Sequence, residues 1–535
     1  MTEPTSAVDK RLDEFSTWQK VEFRCMIQDI LGNEIYNKQD SDKLGDRTIF
    51  YCITIPGEND WVRSAAANGF EQFDKLTKNN NEPLNSDGER LSFSLVNYSY
   101  PLPSDGKNRS CLIKVYDLNL VEFLRVNDIV QVEGFVEPSG FEDDSELLTN
   151  KNSPSSNGQS NVDGDANHSN GINRETSQPN EFERATSLKD DFEPASDFPH
   201  RLVPRVHVQT LRKLNHINPM LPGQISRDGL DLTRLRLARV RLETILTQLF
   251  GGDKLAAEYV ILSLLSRIQR RKNELAIGQM SVNITGIKPE MKQLIEKLYS
   301  LISRITTHSH FLDLSIANLN NLQFTPQKDH DNNKMIAGTL QLPDGLFLMI
   351  NETALSEGLL TQQGTSNLAT LNHIIRWQSH KYDFKFHSVD IDTDLNILIM
   401  SEGKSVLAAP IILNLEYDDM DSIKQACESI NDFLTDELLN MFRYYISVLR
   451  QPDAQNYQIP EEVQSIIEKD FVGFRRQTEA QNKPLFSADD LSSYMTLARL
   501  LTISRCEQTL SEQIWKDICQ MEATRKLRLS SRVSM

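Results

Sequence analysis

The stretch MSVNITGIKPEMKQ, residues 280–293, comes nearer than any other in this chain to a phosphate-binding loop. A P-loop reads G-x-x-x-x-G-K-[ST]. Its glycines let backbone N–H groups cradle the phosphates, its lysine reaches the β/γ-phosphates, and its hydroxyl holds Mg²⁺. A second apolar strand supplies the acidic partner of the metal. Laid on that template from Gly286, the sequence reads Gly286-Ile287-Lys288-Pro289-Glu290-Met291-Lys292-Gln293. Gly286 and Lys292 match. Met291 replaces the glycine that would wrap the phosphate, Gln293 replaces the hydroxyl, and Glu290 adds negative charge beside a polyanion. The second strand, LFLMINE, ends in Asn351-Glu352, an amide where the metal-holding carboxylate belongs. The expectation is an NTPase scaffold whose site has decayed: no catalytic residue, no metal and no cofactor. An active or ADP-holding ATPase is the alternative.

Other chemistry-bearing groups are weaker. Asp390-Ile391-Asp392-Thr393-Asp394 starts like a Ca²⁺ loop, but Leu395 sits where a glycine is needed and Ser401 where a bidentate glutamate is needed. His308 and His310, and the sevenfold-spaced His373, His380 and His387, have no cysteine or carboxylate constellation with them and read as surface or helix-end residues. Trp377 and Phe384 read as core residues. The six cysteines are far apart, with no CxxC, which suits reduced thiols.

Positioning Gly286, Lys292 and Asn351 requires strands and helices in alternation. DLTRLRLARVRLETILTQLF and KLAAEYVILSLLSRIQRRK have helical period. MSVNITG is a strand-like run, and Pro289 opens a helix in which Met291, Leu294, Ile295, Leu298 and Ile302 share one face. GLFLMINE and LNILIMSEG are buried strands, SNLATLNHIIRWQ is a helix, and YDFKFHSV is an alternating strand. Such alternation predicts a parallel sheet covered by helices over 201–418. From about residue 419 the pattern is helical to the end, with Ser487-Ala488-Asp489-Asp490 and the box Thr509-Leu510-Ser511-Glu512 announcing the last two helices.

Ahead of this, residues 21–138 read as β. VEFRCMIQDI, TIFYCITIP, SCLIKVYD and DIVQVEGFV are β-branched and aromatic runs, and the late Gly134 suits a strand that bends sharply in an OB-like barrel. Residues 1–20 form a polar tail. Residues 139–200, rich in Asn, Ser, Gly, Asp and Pro, cannot bury enough apolar surface to order themselves and are expected to be a disordered acidic linker.

The 535 residues carry 57 Lys+Arg against 75 Asp+Glu, a formal charge of −18. No apolar h-region follows the N-terminus and no window is long enough to span a membrane, so a soluble intracellular protein is expected. The barrel aromatics Phe23, Phe50, Tyr51, Tyr98, Tyr100 and Tyr116 could stack single-stranded DNA. However, residues 1–137 hold about eight more acidic than basic side chains, which repels a phosphate backbone. A structural aromatic core is the better reading, and an OB-fold single-stranded DNA-binding protein is the second alternative.

The phrases VEFRCMIQDI, FYCITIPGENDWV, SCLIKVYD, LRVNDIVQVEGF, LVPRVHVQTLRKLNHINPMLP, AAEYVILSLL, AGTLQLPDG and WQSHKYDFKFH with NILIMSEGKS resemble the minichromosome maintenance complex-binding protein family (MCM-binding proteins). The resemblance runs from about residue 21 to 528, excluding the linker. It implies a nuclear, non-catalytic partner of the hexameric MCM replicative helicase, acting in DNA replication, in handling or release of MCM subunits from chromatin, and in sister-chromatid cohesion. It also implies kinship with MCM subunits, in which an OB barrel precedes an AAA+ core with a C-terminal helical lid. On that plan Gly286 to Gln293 fall at the phosphate loop and Asn351-Glu352 at the metal-binding pair. NILIMSEG falls on the sensor strand, with only Glu402-Gly403 near the sensor asparagine. Thr496 of the lid helix, region 419–535, falls at the arginine sensor. The family's usual helical segment ahead of the barrel has no counterpart in the polar residues before Val21. The expected mechanism is competition: a subunit-shaped surface occupies the flank of a genuine MCM subunit without completing an ATP site. MCM helicase subunits are the expected partners, and neither direct DNA binding nor membrane contact is expected.

Overall fold

The computed structural model describes residues 19–37, 44–65, 110–137, 203–221, 230–272, 275–330, 333–455, 457–480 and 486–533. The polar tail before residue 19, the whole expected linker 139–200, Tyr98 and Tyr100 lie outside the described residues. The architecture is mixed α/β with several sheets.

The first body contains β1 (Gln19–Asn37), β2 (Leu44–Ile53), α1 (Asp60–Ala65), β3 (Ser110–Val115), α2 (Leu118–Val121), β4 (Ile129–Val136) and β5 (Arg205–Lys213). Its strands close a barrel in the order β1-β2-β3-β5-β4, all antiparallel except the β3–β5 pair. Alternate residues point inward, as the two-residue strand period requires. Val21, Phe23, Cys25 and Ile27 of β1 meet Phe50, Cys52, Cys111, Ile113, Val130 and Val132 inside. The long β1 pairs with β4 through Gln19–Met26 and with β2 through Met26–Asn37, breaking register with β2 at Ile27/Asp29 and Ile30/Gly32, the latter with Gly32 at φ +106°. Arg205–Lys213 lies in the α/β part on the sequence reading. In the structure it closes the barrel, with Val206, Val208 and Leu211 packed into the barrel interior.

The second body begins with α3 (Leu232–Leu249) and α4 (Lys254–Leu265), followed by the hairpin β6 (Arg270–Lys272) and β7 (Leu275–Ile277). The sequence reading carries the α4 helix through Lys272. Instead it stops at Leu265, where Ser266 turns extended and its hydroxyl accepts the Met280 N–H, and Arg271 reaches out to the carbonyls of Trp377, Gln378 and Thr393. From Tyr259 to Leu265 every side chain of α4 is buried, whereas Lys254 at its start is exposed and Glu258 pairs with Arg239.

β8 (Val282–Thr285), α5 (Lys292–Ile305), β9 (Ser309–Asp313), α6 (Ile316–Asn321), the hairpin β10 (Gln327–Asp329) and β11 (Lys334–Ile336), β12 (Phe347–Asn351) and α7 (Gln362–Trp377) follow. Then come β13 (Ser379–Asp383), β14 (Ser388–Asp392), β15 (Asn396–Ser401) and β16 (Ile411–Asn414). The expected parallel sheet is present as β16-β8-β15-β12-β9, every pair parallel. Both its faces are covered. Phe347, Met349, Leu398 and Met400 face one core, and Leu348, Ile350, Ile397 and Ile399 the other. YDFKFHSV is not one strand. A turn splits it, leaving Tyr382 and Asp383 on β13 and Ser388 and Val389 on β14, because Lys385 takes φ +64° and Asp383 Oδ1 accepts its N–H.

The remainder is helical: α8 (Met420–Phe433), α9 (Asp436–Leu449), α10 (Pro452–Gln455), α11 (Glu461–Ala480), α12 (Ala488–Ser504) and α13 (Glu512–Val533). Ser487 and Asp490 form the capping box of α12. At α13 the hydroxyl that accepts the Ile514 N–H is Ser511, not Thr509. α13 lies on the edge strand β16, where Arg525 donates to the Ile412 carbonyl.

Candidate functional site

The strand, turn and helix that should present a phosphate cradle come together as the spacing predicts, but the cradle is closed. Gly286 ends β8 at φ +91°, and a Cβ there would sit 2.9 Å from Asn414 Oδ1, so glycine serves the turn itself. Its N–H donates to the Glu402 carbonyl at 3.2 Å, and the Ile287 N–H donates to the Ser401 carbonyl at 3.1 Å. The first two backbone donors of the loop therefore already have acceptors on the neighbouring chain segment. Ile287 and Met291 are buried in the core. Lys292 points into solvent, 3.9 Å from Glu296 one turn along α5, and Gln293 is exposed. No stability follows from so exposed an ion pair.

The expected metal pair is committed in the same way. Asn351 Nδ2 donates to Asp313 Oδ1 at 2.7 Å, while its Oδ1 accepts the Thr353 N–H and hydroxyl. Glu352 is buried and accepts the Ser405 hydroxyl and, at 2.6 Å, the Val406 N–H. The segment 401–407 after β15 thus bonds to the Gly286 turn at one end and to Glu352 at the other, with the Thr285 hydroxyl donating to the Gly403 carbonyl at 2.7 Å between them. A Mg²⁺–nucleotide does not fit these residues: the Gly286 and Ile287 N–H groups, the Glu352 carboxylate and the lysine each face elsewhere. The Ser/Gly composition of SEGKS hints at this loop, but which strands it ties together depends on sheet order.

Of the remaining positions, Thr496 on α12 is half-buried, one turn before Arg499. Arg499 is buried and donates to the carbonyls of Arg267 and Gly278, which fixes it to the β6–β7 hairpin, and burial lowers its guanidinium to about 10. No group of His, Cys, Asp or Glu among the described residues could hold a metal ion. His308 and His380 are buried and His310 half-buried, none of them a surface group, and each is pushed down by burial, His308 and His310 to about 4 and His380 to about 3. Trp377 is half-buried under the Arg376 guanidinium, and Phe384 is half-buried at a hairpin tip, so neither is core.

What the sequence reading missed is a joint between the two bodies. Trp61 of α1 donates its indole N–H to the Thr306 carbonyl at 2.8 Å and lies 4.2 Å beneath the Arg443 guanidinium. Asn59 donates to the same carbonyl, and the Ser309 hydroxyl donates back to Asn59 Oδ1. Arg24 pairs with Glu58 at 3.0 Å and donates to the Ile217 carbonyl. Burial outweighs this pairing, pushing Arg24 down and Glu58 up. On the barrel's other flank Gln28 and Gln341 exchange hydrogen bonds, Asp29 accepts the Met335 N–H at 2.7 Å, and Asn127 bonds the Tyr382 hydroxyl. Between these contacts a cavity of about 170 Å³ is lined by residues of both bodies, including Asp128, Lys213, Arg267 and Arg450. The phrase GENDW, polar yet holding a tryptophan, was the available signal.

The barrel wall carries a second buried network. Lys114 and His207 both bond Glu137 at 2.6 Å, Tyr116 bonds His207, and Arg47 bonds Tyr116 and Glu34. Burial works against ionisation of Glu137, but His207 and Lys114 overcome it and hold the carboxyl well below the usual range. Phe23, Phe50 and Tyr51 are buried, as a structural core requires, and Tyr116 sits within the network.

A family model described as "Mini-chromosome maintenance replisome factor" matches residues 71–529. The chain is 29% identical over 602 residues to the mini-chromosome maintenance complex-binding protein of Homo sapiens, covering 95% of this chain and 88% of that protein. It is 28% identical over 592 residues to the protein of that name from Danio rerio, covering 94% and 87%. To the one from Arabidopsis thaliana it is 27% identical over 568 residues, covering 95% and 87%.

Proposed function

Because the chain belongs to the Mini-chromosome maintenance replisome factor family, we propose that it binds the mini-chromosome maintenance (MCM) complex, the partner named in the titles of its relatives, and that it does so without an ATP cycle of its own. In the finer reading it is a subunit mimic, with an OB-like barrel, a degenerate AAA+-like core and a helical lid. Two features support this. An OB barrel has the strand order of β1-β2-β3-β5-β4 with one parallel pair. An AAA+ sheet, counted from its phosphate-loop strand, runs fifth, first, fourth, third, second, as β16-β8-β15-β12-β9 does.

The observation that carries the non-catalytic reading is the segment 401–407, which takes up the N–H groups of Gly286 and Ile287 and the carboxylate of Glu352. A face shaped like a subunit but lacking a nucleotide site interrupts the head-to-tail contacts that close a ring. The protein would then regulate assembly, handling or release of MCM subunits during DNA replication, in the nucleus, with a consequence for sister-chromatid cohesion. The acidic barrel, whose Lys114 and Arg47 are buried against Glu137 and Glu34, favours contact with the helicase over contact with DNA.

The test is recovery of MCM subunits on the immobilised full-length protein. Failure to recover any of them sinks the reading. Melting measured with and without millimolar ATP and Mg²⁺ should show no shift. Turnover that disappears in Lys292→Ala would establish the ATPase alternative instead.

A further inference from the structure

Many large aromatic side chains among the described residues lie in the cores or pack against them, but one hairpin tip gathers four rings at the surface. Phe384 and His387 stack with centroids 5.1 Å apart and planes 4° apart, and His330 leans on Phe386 at 5.5 Å. Phe386 is 88% exposed.

The tip is also held rigidly. The Phe384 N–H donates to the His387 carbonyl, the Phe386 N–H to the Phe384 carbonyl, and the Lys385 N–H to Asp383 Oδ1. His330 Nε2 bonds the Phe384 carbonyl at 3.0 Å. At the root, Tyr382 is fully buried and bonded to Asn127 of the barrel, so the hairpin is braced against both bodies. A bulky ring held out in water on a hydrogen-bonded turn has the character of an interface anchor: large contact area, little backbone entropy left to lose on binding, and a cost in water that a partner relieves.

Charge decides what kind of partner. The hairpin from Ser379 to Asp392 carries Lys381 and Lys385 against Asp383, Asp390 and Asp392, and the chain as a whole is at −18. A stacking platform for a nucleic-acid strand needs a basic groove alongside its rings, and this hairpin has none. An apolar tip with nearly balanced charge fits an apolar pocket on a folded protein.

We propose that the β13–β14 tip is a plug, with Phe386 at its apex, that enters an apolar pocket on an MCM subunit. This rests on the MCM-binding reading above and assigns that reading its contact.

The experiment compares full-length wild type, Phe386→Ser and Phe386→Leu for binding to purified MCM subunits, with melting temperatures and oligo(dT) binding measured in parallel. We expect Phe386→Ser to bind at least about tenfold more weakly, Phe386→Leu to keep most of the affinity, and all three to melt together because the ring is exposed. Equal binding by wild type and Phe386→Ser overturns the plug and leaves the MCM reading standing. Absence of any wild-type binding overturns both. Binding of oligo(dT) by wild type that Phe386→Leu and Phe386→Ser both lose overturns the plug in favour of a nucleobase platform. Loss of fold in Phe386→Ser contradicts the exposed placement of the ring and likewise overturns it.

Discussion

The carboxylate of Glu352 accepts the backbone N–H of Val406 at 2.6 Å. That bond joins the end of β12 to the loop after β15, and with the Ser405 hydroxyl it leaves the carboxylate no freedom to reach a metal. Glu352→Ala removes both hydrogen bonds to the carboxylate, and bonds to a charged group contribute about 1.5–3 kcal/mol. Urea denaturation should show the midpoint falling with an unchanged slope. Glu352→Gln, which keeps one acceptor oxygen, should fall less.

Gly134 marks the bend of β4, where the ladder with β5 slips one residue between Glu133 and Gly134. A Cβ at this position would overlap the His207 carbonyl oxygen of β5. Backbone cannot yield as a side chain does, so Gly134→Ala should destabilise the barrel by about 1–3 kcal/mol or more. Thermal melting should register the loss, and hydrogen exchange should localise it to β4 and β5.

Trp61→Ala removes both the indole hydrogen bond to Thr306 and the ring beneath Arg443. The joint between the bodies should weaken by about 1–3 kcal/mol. Calorimetry is expected to resolve the single transition into two as the barrel and the α/β body lose their coupling.

His308 sits at the same joint, bridged to Glu58 of the barrel. Burial, reinforced by the Arg450 charge, lowers it from 6.5 to about 4. Below pH 6.5 the unfolded chain takes up a proton that the folded chain refuses until about pH 4. This group therefore makes stability fall as the pH drops through that window, by up to about 3 kcal/mol at 1.4 kcal/mol per pH unit. His308→Gln should flatten the slope between pH 7 and 4.5 by a like amount.

Much of this was legible in the sequence, because it follows from local pattern. The two-residue alternation in VEFRCMI set the barrel-facing side of β1, and the near-continuous apolar runs LFLMIN and NILIMS could only be strands covered on both faces. The losses at Met291, Gln293 and Asn351 were visible in the residue types alone. Tertiary structure decided matters that depend on which distant segments meet. Arg205–Lys213 falls inside the region 201–418 that the sequence assigns to the α/β part, and only closure of the barrel places it beside β3 and β4. Lys292 matches a P-loop lysine by spacing, yet it faces water because Ile287 and Met291 anchor the turn inward. Phe384 reads as a core residue, yet the turn at Lys385 leaves it half-buried at a hairpin tip. Periodicity reports how a segment buries its own face, whereas a hydrogen bond such as that from Ile287 to Ser401 depends on sheet order, which no local pattern encodes.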